Sequence, residues 1–258
     1  MNFNTYGKYY DLLYKDKNYQ QEADYVFDSL SSFCPPQKPH SCKIQEVLEL
    51  GCGSGNHAVW LTKKGWNITG LEQSESMVEC AKAKKIKNFH PIVGDISNFN
   101  LDKHFDAAIS LFHVISYLST NESVLNCFRC VNQHLNNGGI FFFDVWFTPG
   151  VYSLKPETRI KRMKDDDVDV TRLAESVMHH DTNVVDVHYQ VMVHNKSTNE
   201  WSTFSELHPM RHFSMPEIDM IAHVSGFEVI NAEEFGTQRK PSDNTWAICF
   251  TLKKITDV

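Results

Sequence analysis

The stretch VLELGCGSGNHAVWL, residues 47–61, is an apolar run carrying one acid, Glu49, that stops in three glycines spaced one apart. An apolar strand that breaks into a glycine turn and resumes as a helix marks the carboxyl edge of a parallel sheet. Ligands of open α/β folds bind at that edge. Gly51, Gly53 and Gly55 lack Cβ atoms, so the backbone can come close to a ligand and take turn conformations closed to other residues.

Working outward from the turn, apolar patterns of strand and helix alternate. Upstream, NYQQEADYVFDSL (18–30) sets Ala23, Val26, Phe27 and Leu30 at helical spacing, and a proline-containing linker, CPPQKPHSC (34–42), precedes the first strand at 45–50. Downstream, the pattern predicts a helix over 55–64 ended by Gly65, a strand NITGLE (67–72), and a helix capped by Ser74. Strands follow at FHPIVGD (89–95) and FDAAISLF (105–112), then a helix over 121–136 and a strand GGIFFFDVWF (138–147). Short connections between alternating elements predict a parallel sheet covered on both faces, and its strands lack polar alternates. The pattern changes near residue 160. DVDVTRLAESVMHH, NVVDVHYQVMVHN and WSTFSELHPMRHF read as an antiparallel sheet inserted into the α/β body. Asp165, Asp166 and Asp167, which follow the basic RIKRMK, read as a solvated loop ahead of it. A helix with the capping box Ser214-x-x-Glu217 and a stop at Gly226, then strands EVINAEEF and TWAICFTLKK, completes the chain. The expected division is a helical lid over 1–40, a cofactor-binding core over 41–158, an inserted sheet covering the acceptor over 159–213, and a closing helix and strands over 214–258.

A chain of 258 residues can bury a core without staples. The net charge of −7 opposes general affinity for nucleic acid or an anionic membrane. No stretch of about 18 apolar residues offers a membrane span, and the first residues lack a signal-peptide core. Seven cysteines without framework spacing fit a reducing cytosol, so a cytoplasmic location is expected. Cys127-x-x-Cys130 lies within a helical pattern and has no second pair at ligand spacing, so it reads as buried helix face.

The glycine loop reads G-x-G-x-G-N, with Asn56 where a dinucleotide fingerprint has its last glycine. That argues for a ligand without a pyrophosphate. Glu72, ending the second strand, suits a ribose diol, and Asp95, ending the third, suits an exocyclic adenine amine. Adenosine without phosphates, with carboxylates around a ligand that carries positive charge, describes S-adenosylmethionine.

Residues 47–147 resemble a class I S-adenosylmethionine-dependent methyltransferase: ELGCGSG as the glycine motif, GLEQS as the ribose-acid strand, VGDI as the adenine segment, and FDAAISLFHVISYL as strand four with its loop. The resemblance implies a doubly wound, mostly parallel seven-stranded sheet. It implies cofactor contacts at Glu49, Gly51, Gly53, Gly55, Glu72, Gln73, Asp95, Ile96 and Leu111. YYDLLYKDKNYQQEADYV, SLFHVISYL, FFFDVWF and ELHPMRHF extend it toward the sugar-nucleotide N,N-dimethyltransferases. Asp144 departs from the glutamate usual there, and His113 from a small hydroxyl residue, which leaves the acceptor open. The expected partner is a small-molecule acceptor, in the first reading a nucleotide-linked aminosugar. A hydroxyl acceptor or a non-catalytic partner subunit are the alternatives.

Methyl transfer is an in-line displacement at carbon, so positioning supplies most of the catalysis. An amine acceptor must be neutral, and a hydroxyl needs a base. Tyr14, His113, Tyr117, Asp144 and His208 are the candidates for orienting the acceptor. His113 is the candidate base, Asp144 a candidate contact to the acceptor, and Arg211 a candidate for an acceptor phosphate. Val-Trp-Phe after Asp144 lacks the acidic and amide ligands of metal-dependent relatives, so no metal is expected. The loop Leu111-Phe112-His113-Val114 is not the Asn/Asp-Pro-Pro-aromatic motif of base methylation. The inserted sheet is a candidate homodimer surface.

Overall fold

The computed structural model describes residues 7–33 and 44–258. The proline-containing linker expected at 34–42 lies outside the described residues. Helices α1 (Gly7–Leu13) and α2 (Tyr19–Ser32) precede strand β1 (Glu46–Leu50). Then come α3 (Ala58–Leu61), β2 (Asn67–Glu72), α4 (Glu75–Ala83), β3 (Phe89–Val93), β4 (Phe105–Ser110) and α5 (Asn121–His134). Next are β5 (Leu135–Phe147), α6 (Thr148–Leu154), β6 (Arg159–Lys164), β7 (Val168–His179), β8 (Val184–Asn195) and β9 (Glu200–Phe213). Helix α7 (Met215–Val224) and strands β10 (Phe227–Glu234) and β11 (Ala247–Lys254) close the chain.

Seven strands make the body in the order β3-β2-β1-β4-β5-β11-β10, parallel except for β11, which runs antiparallel to both its neighbours. The doubly wound α/β sheet expected from the sequence is the one observed. One buried cluster, including Phe128, Phe141, Phe143, Phe227 and Phe250, packs α5 and α7 against the sheet. A second, including Val26, Leu30, Trp66, Ile68 and Phe142, packs α2 and the turn after β1 against it. Strands buried by both clusters explain the near-absence of polar alternates.

The inserted strands β6 to β9 pair antiparallel in chain order. They join the body at β5, where Trp146 pairs with His212 and Phe147 with Phe213. Strand β4 pairs with β5 only as far as Ser110↔Phe143. Trp146 is paired on its other edge with Ala247, so β9 takes up the edge that β4 has left. Leu111 to Val114 and Tyr117, in the turn after β4, line a cleft opened by this change of partner.

Local expectations are met in part. Ser74 caps α4, and the Ser214–Glu217 capping box is formed at α7. Gly65 and Gly226 terminate their helices with positive φ, 99° and 74°. The helix expected over 55–64 is shorter, one α-helical turn followed by a 3-10 turn at Thr62–Lys64. Helix α5 ends at His134, two residues early, because Leu135 already pairs with Phe105. RIKRMK, to which the sequence reading assigned no element, forms the edge strand β6, whose residues alternate in exposure. Its charges mask the alternation in a reading by hydropathy, and basic side chains are a common defence of a free edge. The three aspartates do form the turn, with Asp165 Oδ1 accepting from Asp167 and Val168 N–H at 2.9 and 2.8 Å. Helix α6, opened by Pro149, was not expected.

Candidate active site

A cavity of about 710 Å³ opens at the carboxyl ends of β1, β2 and β4 and runs under α1 and the inserted sheet. Its size suits a cofactor together with a small acceptor. Gly51, Gly53, Glu72, Gln73, Asp95, Ile96 and Leu111 line one end. A Cβ on Gly53 would meet nothing nearer than Met77 Sδ at 3.9 Å, so the missing side chain leaves space rather than avoiding a neighbour. Glu72 is 8% exposed and ties the loop to the sheet: Gly53 N–H donates to Oε2 (3.0 Å) and Ser74 N–H to Oε1 (2.8 Å). Burial raises the Glu72 pKa, while the N–H groups of Ser74, Gly53 and Gln73 draw it back. Each oxygen keeps a lone pair for a diol. Asp95 Oδ1 accepts from Ser97 N–H and Oγ, both at 2.8 Å, which fixes the carboxylate at the cavity edge. These groups fit the adenosyl moiety of S-adenosylmethionine.

Two residues expected at the cofactor lie elsewhere. Gly55 is outside the cavity wall, and a Cβ there would strike Phe89 at 2.7 Å, so this glycine serves packing. Glu49 is beneath the loop, 2% exposed, with Oε1 4.0 Å from His57 Nδ1 and Oε2 without a hydrogen-bond partner. Burial, then the charge of Glu72, pushes its pKa up to about 8. His57 in turn meets Glu22 of α2 at 2.8 Å.

Helix α1 is fastened over the loop. Ser54 Oγ donates to Asp11 Oδ1 (2.5 Å), Asn56 Nδ2 donates to the same oxygen (3.0 Å), and Lys84 pairs with Asp11 Oδ2 at 2.9 Å. Lys84 also donates to Asn56 Oδ1 and Ser54 Oγ. Asn56, singled out for not being glycine, is thus part of this clasp.

The other end of the cavity is aromatic and basic. Tyr10, Tyr14, Tyr117, Trp146, Tyr189 and Trp246 line it together with His113, Arg159 and Arg172. Tyr14 stands edge-on to Phe112 with ring centroids 5.0 Å apart, and its hydroxyl accepts from Arg172 Nη1 at 3.0 Å. Arg172 lies over the Tyr189 ring, 4.6 Å from its centroid. Phe112 and His113 both take positive φ, 67° and 64°, a strained pair for residues with side chains. Asp144 holds this turn: His113 N–H lies 3.2 Å from each carboxylate oxygen, and Nδ1 lies 2.7 Å from Oδ2. Asp144 is buried and outside the cavity wall, so its partner is His113 and not the acceptor. His208 is likewise withdrawn, behind Tyr117, whose hydroxyl it meets at Nδ1 (3.2 Å). Arg211 is no phosphate ligand, because Nη2 donates to Asn121 (2.7 Å) and to Glu217 (2.5 Å). His212 donates to or accepts from Thr148 at 2.9 Å, and its pKa falls to about 4, chiefly through burial.

Sequence reasoning missed Arg159, Arg172 and Tyr189. Arg172 and Tyr189 alternate with outward residues on β-type runs, and that periodicity was the available signal, whereas Arg159 lies in RIKRMK, where charge hides it; which face meets the cavity depends on the packing.

Residues 47–139 match a family described as a methyltransferase domain. Over 222 residues, 85% of this chain and 89% of the relative, the sequence is 27% identical to the dTDP-3-amino-3,4,6-trideoxy-alpha-D-glucopyranose N,N-dimethyltransferase of Streptomyces venezuelae. Two solved structures share the fold. One is an S-adenosylmethionine-dependent methyltransferase from Clostridium acetobutylicum ATCC 824 (20% identity, TM-score 0.78, 98% of this chain and 100% of that one). The other is the sugar N-methyltransferase KedS8 from Streptoalloteichus sp ATCC 53650 (21% identity, TM-score 0.79, 96% and 93%). The fold, the glycine loop with its acids and the family match define the class: this chain is an S-adenosylmethionine-dependent methyltransferase. Within that class the chain is similar in sequence to a nucleotide-linked sugar N,N-dimethyltransferase and in fold to a sugar N-methyltransferase. No helix among the described residues is long and apolar enough to cross a membrane.

Proposed function

We propose that the enzyme methylates the amino group of a nucleotide-linked aminosugar. The observation that carries this reading is the pairing of Arg159 and Arg172, both from the inserted sheet, with the aromatic wall of the acceptor end. A guanidinium near the mouth matches a diphosphate, and tyrosine and tryptophan faces match a sugar ring and its amine. The similarity to the Streptomyces venezuelae N,N-dimethyltransferase supports the same acceptor class.

When bound, S-adenosylmethionine supplies a methyl carbon made electrophilic by its sulfonium. Gly51, Gly53, Glu72, Gln73 and Asp95 hold it. Tyr14 and the 111–117 turn then set the acceptor's lone pair along the attack line and keep water out. His113 accepts the proton that the amine must shed, with the Asp144 carboxylate, Oδ2 2.7 Å from Nδ1, there to stabilise the charge so gained. A hydroxyl acceptor would use the same pair as a general base.

The test is turnover of labelled S-adenosylmethionine against nucleotide-linked aminosugars and their hydroxyl counterparts. Methylation of the amines, with kcat/KM rising as the acceptor loses its proton, is expected. Turnover of the hydroxyl series alone assigns an O-methyltransferase, and turnover of neither series removes the sugar-nucleotide reading.

A further inference from the structure

The turn that carries His113 has to be held from two sides. Phe112 and His113 take φ of 67° and 64°, and a strained pair persists only where its surroundings over-determine it. Asp144 holds the His113 side through the N–H and Nδ1. A cation meets the Phe112 side: Lys17 Nζ stands 4.1 Å from the centroid of the Phe112 ring and 5.4 Å from that of Tyr19. The Lys17 side chain is 15% exposed, and an ammonium over an aromatic face holds more firmly where water is kept away.

Lys17 is itself fixed by its neighbours. Its N–H donates to the Tyr14 carbonyl and its carbonyl accepts from Tyr19 N–H, both at 3.0 Å, in the turn between α1 and α2. Its ammonium pairs with Glu22 on α2, whose second oxygen lies 2.8 Å from His57 Nε2. Burial works to raise the Glu22 pKa, but the hydrogen bond with His57 and the Lys17 charge outweigh it, for a net lowering. Phe112 belongs to the cavity wall and Lys17 does not, so Lys17 reaches the acceptor end through that ring. We infer that Lys17 is a positioning residue for methyl transfer: its ammonium pins the Phe112 ring and so fixes the left-handed 112–113 turn that presents His113. The line Phe112, Lys17, Glu22, His57 also ties this turn to the start of the helix after the glycine loop, which keeps the two ends of the cavity at one spacing. The catalytic consequence rests on the proposed role of His113; the hold on the turn rests on the contacts themselves.

Two measurements judge it, and the first needs no acceptor. Lys17→Gln removes the charge and keeps a polar stem, while Lys17→Arg keeps a cation that stacks on rings. Hydrogen–deuterium exchange of residues 111–118, read by mass spectrometry, should quicken at least about fivefold in Lys17→Gln and stay at the wild-type rate in Lys17→Arg. Wild-type exchange in Lys17→Gln overturns the inference, whatever the acceptor proves to be. Should Lys17→Gln fail to fold, Phe112→Leu, which leaves the Lys17–Glu22 pair in place, should show the same quickening, and its absence overturns the inference equally. In kinetics, Lys17→Gln should lower kcat about tenfold and leave cofactor affinity, read by calorimetry, unchanged, with most of the rate restored in Lys17→Arg. Adding Lys17→Gln to Phe112→Leu should cost little more than Phe112→Leu alone. A wild-type kcat in Lys17→Gln, or losses that multiply in the double variant, also overturns it. If the wild-type enzyme methylates no sugar nucleotide, the substrate reading fails and the exchange measurement still decides this one.

Discussion

At Gly53 the backbone sits at φ 55° and an added Cβ would point into open cavity, whereas at Gly51, φ 65°, it would lie 2.5 Å from Val114 Cγ1. Both positions charge an alanine about 1–2 kcal/mol for the left-handed conformation. Gly53→Ala should therefore melt only a few degrees lower yet lose at least tenfold in cofactor affinity, and Gly51→Ala should melt lower still. Melting curves with calorimetry separate the two; wild-type cofactor affinity in Gly53→Ala would remove that glycine from the site. Glu72→Gln should weaken cofactor binding by about 1–3 kcal/mol, the scale of a charge-assisted hydrogen bond lost in a buried place. Glu49 makes the pH-dependent case. Its folded pKa, about 8, stands above the ordinary 4.5, so the folded protein binds that proton more tightly than the unfolded chain does. The associated stability is present below about pH 4.5 and is lost as pH rises through 8. Glu49→Gln should consequently gain in melting temperature on the wild-type protein between pH 5 and 8. A difference that is flat with pH would contradict it. Glycines and acids at a strand end were legible as a ligand loop because their spacing is local. That Glu49 and Gly55 face the core was not, since neither direction is written in residue type.

Helix α1 illustrates what an element adds. Its sequence is short and shows no conspicuous apolar stripe, but it brings Asp11 onto Ser54, Asn56 and Lys84. Burial works to raise the Asp11 pKa, and the hydrogen bonds from Ser54 and Lys84 with the Lys84 charge outweigh it, for a net lowering. Asp11→Ala should release the clasp and raise the cofactor dissociation rate several-fold, read by stopped-flow, with little change in melting temperature. An unchanged rate would leave α1 as static cover. At the opposite end of the sheet, Asn132 on α5 donates through Nδ2 to the carbonyls of Ser225, Gly226 and Thr256 (3.0, 3.3 and 2.9 Å). Lys254 closes the set, donating to the Asn132 and Leu135 carbonyls. Asn132→Ala removes this donor from the Ser225 and Thr256 carbonyls, while Gly226 keeps the Ile255 N–H at 2.9 Å, and should cost about 2–4 kcal/mol in denaturant unfolding. Helix and strand types were readable because each pattern has its own period. The edge strand β6 escaped because four of its six residues are charged, and α6 because a one-proline, seven-residue segment has too few positions to show a period.

On the scale of the whole molecule, the active site exists because β9 replaces β4 along the edge of β5. That exchange sets an antiparallel sheet opposite the glycine loop and carries Arg159, Arg172 and Tyr189 to one cavity with Tyr14 and His113. Arg159 stands on the exposed edge strand, so Arg159→Ala should leave folding and cofactor affinity intact. It should raise the KM for a nucleotide-linked acceptor about tenfold, the loss of roughly 1.4 kcal/mol. An unchanged KM would place the phosphates elsewhere.

The sequence by itself determined the glycine-loop end of the cleft, because β1, the turn with Gly51 and Gly53, and the acids Glu72 and Asp95 on two neighbouring strands lie within a short span and their order dictates where they meet. The acceptor end was decided only by the tertiary structure. Its residues come from segments more than a hundred positions apart, and a one-residue change in the β8–β9 register would have turned every one of the inserted sheet's inward side chains to the solvent.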